Sequence, residues 1–172
     1  DVFAKDYRPR DAIFAARDRC DETVDRIRSV RTDRYLYIRN FHPQRPLLQP
    51  NAYKDGKSIV QTLRSLHEAG KLDALQETLL FSPTRPPEEL YEWTKDRWQL
   101  TNLAGQAEHQ QTLAQLRARL HKWMADTRDQ GSESEKMYDS DMAVYLAERG
   151  DAKDEITRRN IALMKQWAKE GK

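Results

Sequence analysis

The chain has 172 residues, enough for one domain with a sizeable core. It is polar, 38% hydrophobic and 34% charged with a mean hydropathy of −0.97, which suits a helix-rich fold with solvated faces or a piece that leans on a partner. The 30 Lys and Arg stand against 28 Asp and Glu, so the net charge of +2 gives no general pull towards nucleic acid or a membrane surface. No apolar run approaches the roughly 18 residues of a membrane-spanning helix.

The first ten residues are polar, contain Pro9 and read as a lead-in loop. Asp11 to Arg17, DAIFAAR, is a short apolar run whose Ile-Phe centre predicts a strand, with Ile13 and Phe14 left exposed where a partner would dock. Arg17 to Asp25 reads as a polar loop. Arg26 to Phe41, RIRSVRTDRYLYIRNF, predicts a hairpin, with Ile27 and Val30 in one arm, Tyr35 to Ile38 in the other and Thr32-Asp33 at the turn. Both faces of its second arm are partly apolar, which places the hairpin inside a larger sheet.

The segment HPQRPLLQPNAYKDG, with Pro43, Pro46 and Pro50, reads as an irregular arm. Lys57 to Ala69 predicts a helix on the spacing of Ile59, Val60, Leu63 and Leu66, stopped by Gly70. Leu72, Leu75 and Leu79 predict a second short helix ended at Ser82-Pro83, and ELYEW, 89–93, a strand. Ala107 to Thr127 is the clearest helix, with Leu113, Leu116, Leu120, Trp123 and Met124 in one stripe. Gly131 to Glu135 breaks it. Met142 to Glu148 predicts a short helix ending at Gly150, and Asp154 to Glu170 a last helix with Ile156, Leu163, Met164 and Trp167 on one side. Strands, then helices, then one strand, then helices indicate an α+β fold rather than alternating βαβ units.

Motifs for chemistry are sparse. His42, His67, His109 and His121 are scattered without metal-ligand spacing, so no metal site is expected. There is no G-x-S-x-G, no P-loop and no glycine-rich phosphate cradle among six glycines. Cys20, the single cysteine, excludes an internal disulfide and lies between the opposite charges of Arg19 and Asp21, so it is not read as a nucleophile. Arginines crowd the hairpin at 17, 19, 26, 28, 31, 34 and 39, interleaved with Asp18, Asp21, Glu22, Asp25 and Asp33, a pattern expected of a solvated ion-pair lattice. Within it Arg17-Asp18-Arg19 is the sharpest feature, because arginine forks bind sulfate or carboxylate oxygens in bidentate fashion.

Two stretches carry a resemblance. IRSVRT, a turn, RYLYIRNF and HPQRP, then EELYEWTKDRWQLTNLA from Glu88 to Ala104, resemble the C-terminal region of sulfatases, most closely the heparan N-sulfatase branch and its bacterial relatives. The family signature E-L-Y-D-L, D-P-x-E, N-L-A is met at Glu89, Leu90, Tyr91, Asp96, Asn102, Leu103 and Ala104, while Glu92, Trp93, Arg97 and Gln99 depart from it. Leu90 is expected to anchor the strand, Asp96 to make the turn and Asn102 to bond local backbone. HKWMADTRD is similar to the family's helix end.

The resemblance implies a small antiparallel sheet packed with helices over 1–130 (hairpin 26–41, strand 89–93, helix 107–127), followed by a helical extension over 131–172. It implies part of an enzyme of the alkaline phosphatase superfamily that hydrolyses sulfate esters or sulfamates of sugars, using a formylglycine made from Cys in C-x-P-x-R and a bound calcium ion. Cys20 continues as CDETV, so this chain is expected to be a fragment, inactive alone and without cofactor. Calcium, formylglycine and nucleophile would belong to a missing N-terminal catalytic domain of the same polypeptide, its partner, and the location implied is periplasmic or secreted. In that setting Arg17, Arg19 and Arg26 are candidates to hold a sulfate or uronate oxygen, with Asp21 and Glu22 accepting sugar hydroxyls. The structural alternative is that Arg17 and Arg19 pair with Asp18, Asp21 and Asp25 to brace the hairpin. A non-enzymatic module binding an acidic glycan is the other functional class, and an upstream C-x-P-x-R would separate the two.

Overall fold

Strands β2 (Thr23–Arg31) and β3 (Leu36–Asn40) flank a turn at 32–35. Thr32 closes it: its Oγ1 accepts from Tyr35 N at 3.0 Å and its own N–H donates to Tyr35 O at 2.9 Å. β1 (Ile13–Cys20) and β4 (Glu88–Tyr91) complete an antiparallel sheet of order β1-β2-β3-β4, in which β3 and β4 pair Leu36 with Tyr91 and Arg39 with Glu88. The hairpin strands are thus the two central ones, which is why both their faces carry apolar residues. This computed structural model describes residues 3–148 and 151–172, with the backbone alone for 151–154.

The helices are α1 (Ala52–Asp55), α2 (Ser58–Glu68), α3 (Ala74–Gln76, running on as a π-turn over Glu77–Phe81), α4 (Gln110–Asp126, led by a 3₁₀ turn at Ala107–His109), α5 (Glu135–Ala147) and α6 (Asp151–Lys169). The architecture is α+β, a four-stranded sheet packed with helices and followed by helices at the C-terminus. No helix among the described residues is long and apolar enough to cross a membrane.

Three expectations change. Residues 17–25 are not a loop: β1 runs to Cys20, the chain turns at Asp21, and β2 starts at Thr23. Their polarity misleads because Glu22, Thr23 and Asp25 are buried with partners rather than solvated. The helix expected at Met142 begins at Glu135, where Ser134 accepts from Met137 N at 3.2 Å and supplies the N-cap. In α6 the inward face is Thr157, Asn160 and Met164, whereas Ile156 is 41% exposed. The expected stop at Gly150 lies outside the described residues.

The chain forms two compact units, each built from three segments. One comprises the residues up to Ala16, Ile27–Arg39 and Glu88–Asp129; the other comprises Arg17–Arg26, Asn40–Pro87 and Gln130–Lys172. In the first, Ala12, Val30, Tyr37 and Leu90 pack with Leu113, Leu116 and Leu120 of α4, and Phe14 stacks on Trp123 at 5.1 Å. Burying each such leucine contributes about 1.5–3 kcal/mol. Asn102 ties the end of β4 down as expected: its Oδ1 accepts from Leu90 N and Ala104 N, and its Nδ2 donates to Glu88 O. Asp96 Oδ2 likewise accepts from Thr101 N at 2.8 Å and closes the intervening turn.

The second unit has a small apolar cluster of Tyr138, Met142 and Met164, with Val24, Ile161 and Trp167 against it. Around it lie buried polar groups. Arg85 clamps Asp25 with two hydrogen bonds of 2.8 and 3.1 Å, both side chains almost fully buried. The arginine cluster is therefore not all surface lattice. In the first unit Arg28 is likewise buried and donates to Asp129 at 2.6 Å.

Candidate functional site

The β1–β2 turn depends on Asp21, whose φ of +51° lies in the left-handed region that a short polar side chain tolerates. The next residue goes inward. Glu22 is fully buried, its Oε1 accepts from Ala52 N at 2.6 Å and from Asn160 Nδ2 at 2.8 Å, and its backbone oxygen accepts from the Tyr138 hydroxyl at 2.7 Å. Asn51 meets the same turn through Nδ2, which donates to Cys20 O and Thr23 Oγ1. Glu22 thus joins the turn, α1, α5 and α6.

The structure separates the five residues singled out in the sequence. Arg19 donates to Asp141 at 2.6 Å and lies 3.5 Å from Glu133. With Asp21 it lines a shallow concavity against Met142 and Tyr145. Arg26 faces a different cavity, its guanidinium 4.0 Å over the Phe41 ring. Glu22 is interior, and Arg17 sits half-buried in β1.

The Arg26 cavity has a volume of about 440 Å³. Val24 and Arg26 of β2, Phe41, His42 and Arg45 after β3, Ser132 to Glu135 before and into α5, Tyr138, and Met164, Lys165 and Lys169 of α6 line it. Arg45 is 1% exposed; it donates to Val24 O at 2.7 Å and Lys172 O at 2.8 Å and lies 5.5 Å from the Trp167 ring. Burial, and then the positive Arg45, lower the pKa of His42 and favour its neutral form. Burial raises the Glu133 carboxyl, with Arg19 opposing and Asp141 and Asp18 adding to the rise. Lys165 is held by Asp139 at 3.0 Å.

The cavity sets Arg26, Lys165, Lys169 and the Phe41 and Tyr138 rings against the carboxylates of Asp18, Asp25, Glu133 and Glu135, a mixed lining that can hold a polyhydroxyl ligand. Sequence reasoning passed over Arg45 by reading HPQRP as a loop. Its signal was that Arg45 is the one charge between Phe41 and Tyr53.

No protein-family model matches the chain. Over 120 residues, 70% of this chain and 20% of the relative, it is 37% identical to the ulvan-active sulfatase of Formosa agariphila. The chain thus spans about a fifth of the length of that curated relative. This similarity supports the sulfatase family; the narrower likeness to heparan N-sulfatases goes beyond it.

Proposed function

We propose that this chain is the C-terminal part of a sulfatase that hydrolyses sulfate groups on sugars, and that it shapes the substrate side of the cleft. The observation that carries this reading is the 37% identity over 120 residues to a sulfatase. The fold, a small antiparallel sheet with helices, agrees with it. The Arg26 cavity suits a sugar ring, whose hydroxyls can meet its carboxylates and its cationic groups alike. Whether the bond cleaved is an ester, as for the relative's class, or a sulfamate is set by the rest of the polypeptide.

Calcium and formylglycine do not fit the residues present. Cys20 lacks the C-x-P-x-R context, and the described residues hold no group of three or more His, Cys, Asp or Glu placed around a metal ion. On this reading both belong to the remainder of the polypeptide, and a periplasmic or secreted location accompanies them.

Sulfate release from a sulfated polysaccharide, measured for the longer natural polypeptide and for these 172 residues alone, tests the reading. Release is expected from the first and none from the second. Turnover by the 172-residue chain that disappears with Cys20→Ala would overturn it. Comparing O-sulfated with N-sulfated substrates then assigns the linkage.

A further inference from the structure

Between β3 and β4, residues 52–81 fold as a lobe of α1, α2 and the α3 π-turn in which Ala52 is the only buried residue. α2 is nonetheless patterned as a core-facing helix, with Ile59, Leu63 and Leu66 at i, i+4 and i+7 and Val60 beside them. Ile59 is 69% exposed and no residue of α2 is buried; Leu75 and Leu79 carry exposed apolar surface onto the next turn. A helix of this length is marginal alone in water, and helices in proteins are held chiefly by packing their apolar face.

The lobe is fastened by polar contacts instead. Asn51 caps α1 through Lys54 N, Arg64 reaches Asp55 at 2.7 Å, and His67 stacks on Phe81 with ring centroids 4.0 Å apart. Leu48 N donates to Leu80 O, closing the base. These contacts fix the lobe's shape and leave Ile59, Leu75 and Leu79 of its aliphatic surface exposed, with Val60, Leu63 and Leu66 half-buried.

We propose that this stripe is the surface on which the catalytic part of the same polypeptide docks, an inference that rests on the reading of the chain as part of a larger sulfatase. Three observations select this occupant. The match leaves most of the relative's length outside it, so a polypeptide of that size has ample further chain to cover the stripe. The lobe's charge is balanced, Lys54, Lys57, Arg64 and Lys71 against Asp55, Glu68, Asp73 and Glu77, which gives no attraction to an anionic lipid surface or nucleic acid. The stripe is also small. A stable interface between separate molecules uses roughly 20–30 residues a side, whereas a tethered partner meets its site at an effective concentration on the order of millimolar, where a small patch suffices.

Hydrogen exchange of the amides from 59 to 66, compared between the 172-residue chain and the longer natural polypeptide, tests the proposal. Exchange is expected to be at least about tenfold slower in the longer polypeptide, equivalent to ~1.4 kcal/mol. Ile59→Asp should abolish that slowing and leave the melting temperature of the 172-residue chain unchanged. Equal exchange in both would overturn the docking. So would slowing in the 172-residue chain that grows with its concentration, which would assign the stripe to a second copy. Slow exchange in a longer polypeptide that releases no sulfate supports the docking and removes the sulfatase reading, and sulfate release without slowing does the reverse. A reading frame that encodes nothing beyond these residues overturns both.

Discussion

The two compact units solve burial in opposite ways. The α4 unit hides aliphatic and aromatic side chains, Val30, Tyr37, Leu90, Leu113, Leu116 and Leu120, with Arg28–Asp129 as a buried ion pair. The α5–α6 unit hides Glu22, Asp25, Arg45, Gln49, Asn51, Arg85 and Asn160 around three apolar residues. An aliphatic interior degrades gradually, because removing a side chain loses its transfer energy and leaves a cavity. A polar interior fails abruptly, because each group relies on a named partner and an abandoned charge stays buried.

The sharpest way to break that contrast is Asp25→Ala, which leaves Arg85 without its carboxylate. It should destabilise the protein by about 3–5 kcal/mol, measured as a fall in the urea midpoint. A loss below about 1 kcal/mol would show that water solvates this interior and that the contrast is false. Replacing Asp25 and Arg85 together by apolar residues should recover part of the loss, since a paired charge removed whole leaves nothing uncompensated.

Leu120→Ala probes the other side. Leu120 is fully buried in the α4 cluster, and its truncation should cost about 3 kcal/mol. Here the loss should track the cavity created, with Leu120→Met nearly neutral at under about 1.5 kcal/mol.

Acid should separate the units next. His42 is lowered from 6.5 by burial and then by Arg45, with Asp25 opposing and Arg85 adding to the drop. The unfolded chain therefore takes up that proton first, so the stabilisation is complete above pH 6.5 and fades as pH falls towards the lower folded value. Glu133, raised from 4.5 by burial, acts oppositely: its contribution is present below 4.5 and is lost as pH rises through its folded value. In the α4 unit the hydrogen bond from Arg117 holds Glu88 below 4.5, so that stabilisation persists until pH falls beneath 4.5. With Glu133 replaced by Gln, amide protection corrected for the intrinsic slowing of exchange in acid should fall in α5 and α6 before α4 at about pH 5.5, and His42→Gln should narrow the gap. Loss of protection in α4 first would contradict the assignment.

Arg19→Ala should have the smallest effect on stability. Its side chain is 26% exposed and its partner Asp141 is 52% exposed, a setting in which ion pairs contribute roughly 0–1 kcal/mol. In the longer enzyme the same change distinguishes two roles. A roughly 10- to 150-fold loss of kcat/KM at constant melting temperature would assign Arg19 to substrate, by the worth of a charge-assisted contact. Unchanged kinetics would assign it to bracing α5.

Much of the α4 unit was legible in the sequence, because aliphatic spacing there reports burial directly. Leu113, Leu116 and Leu120 gave the helix and its inward face, and Asn102 and Asp96 gave the turn after β4. The α5–α6 unit was legible where aliphatic spacing reports it, in α2 and in Leu163, Met164 and Trp167 of α6, and its polar interior was not, for one physical reason. Its inward residues, among them Glu22, Asp25, Thr157 and Asn160, are types that usually signal solvent, and their burial depends on partners distant in the chain. That is why 17–25 reads as a loop and why the stripe read on α6 includes the exposed Ile156 and omits the buried Asn160. The cavity was half legible: Arg26 was singled out, while Arg45 was hidden by its prolines.

The interleaving of the two units along the chain sets an order of events during synthesis. β1, β2 and β3 emerge first, yet the α4 cluster lacks Leu90 and the α4 leucines until residues 88–129 have followed. Glu22 emerges early as well and waits for Asn160 of α6, 138 positions later, before its carboxylate is satisfied. Contacts so far apart in sequence delay the transition state. The nascent hairpins should therefore spend that interval with their edges unpaired, a period in which association of exposed strands competes with folding.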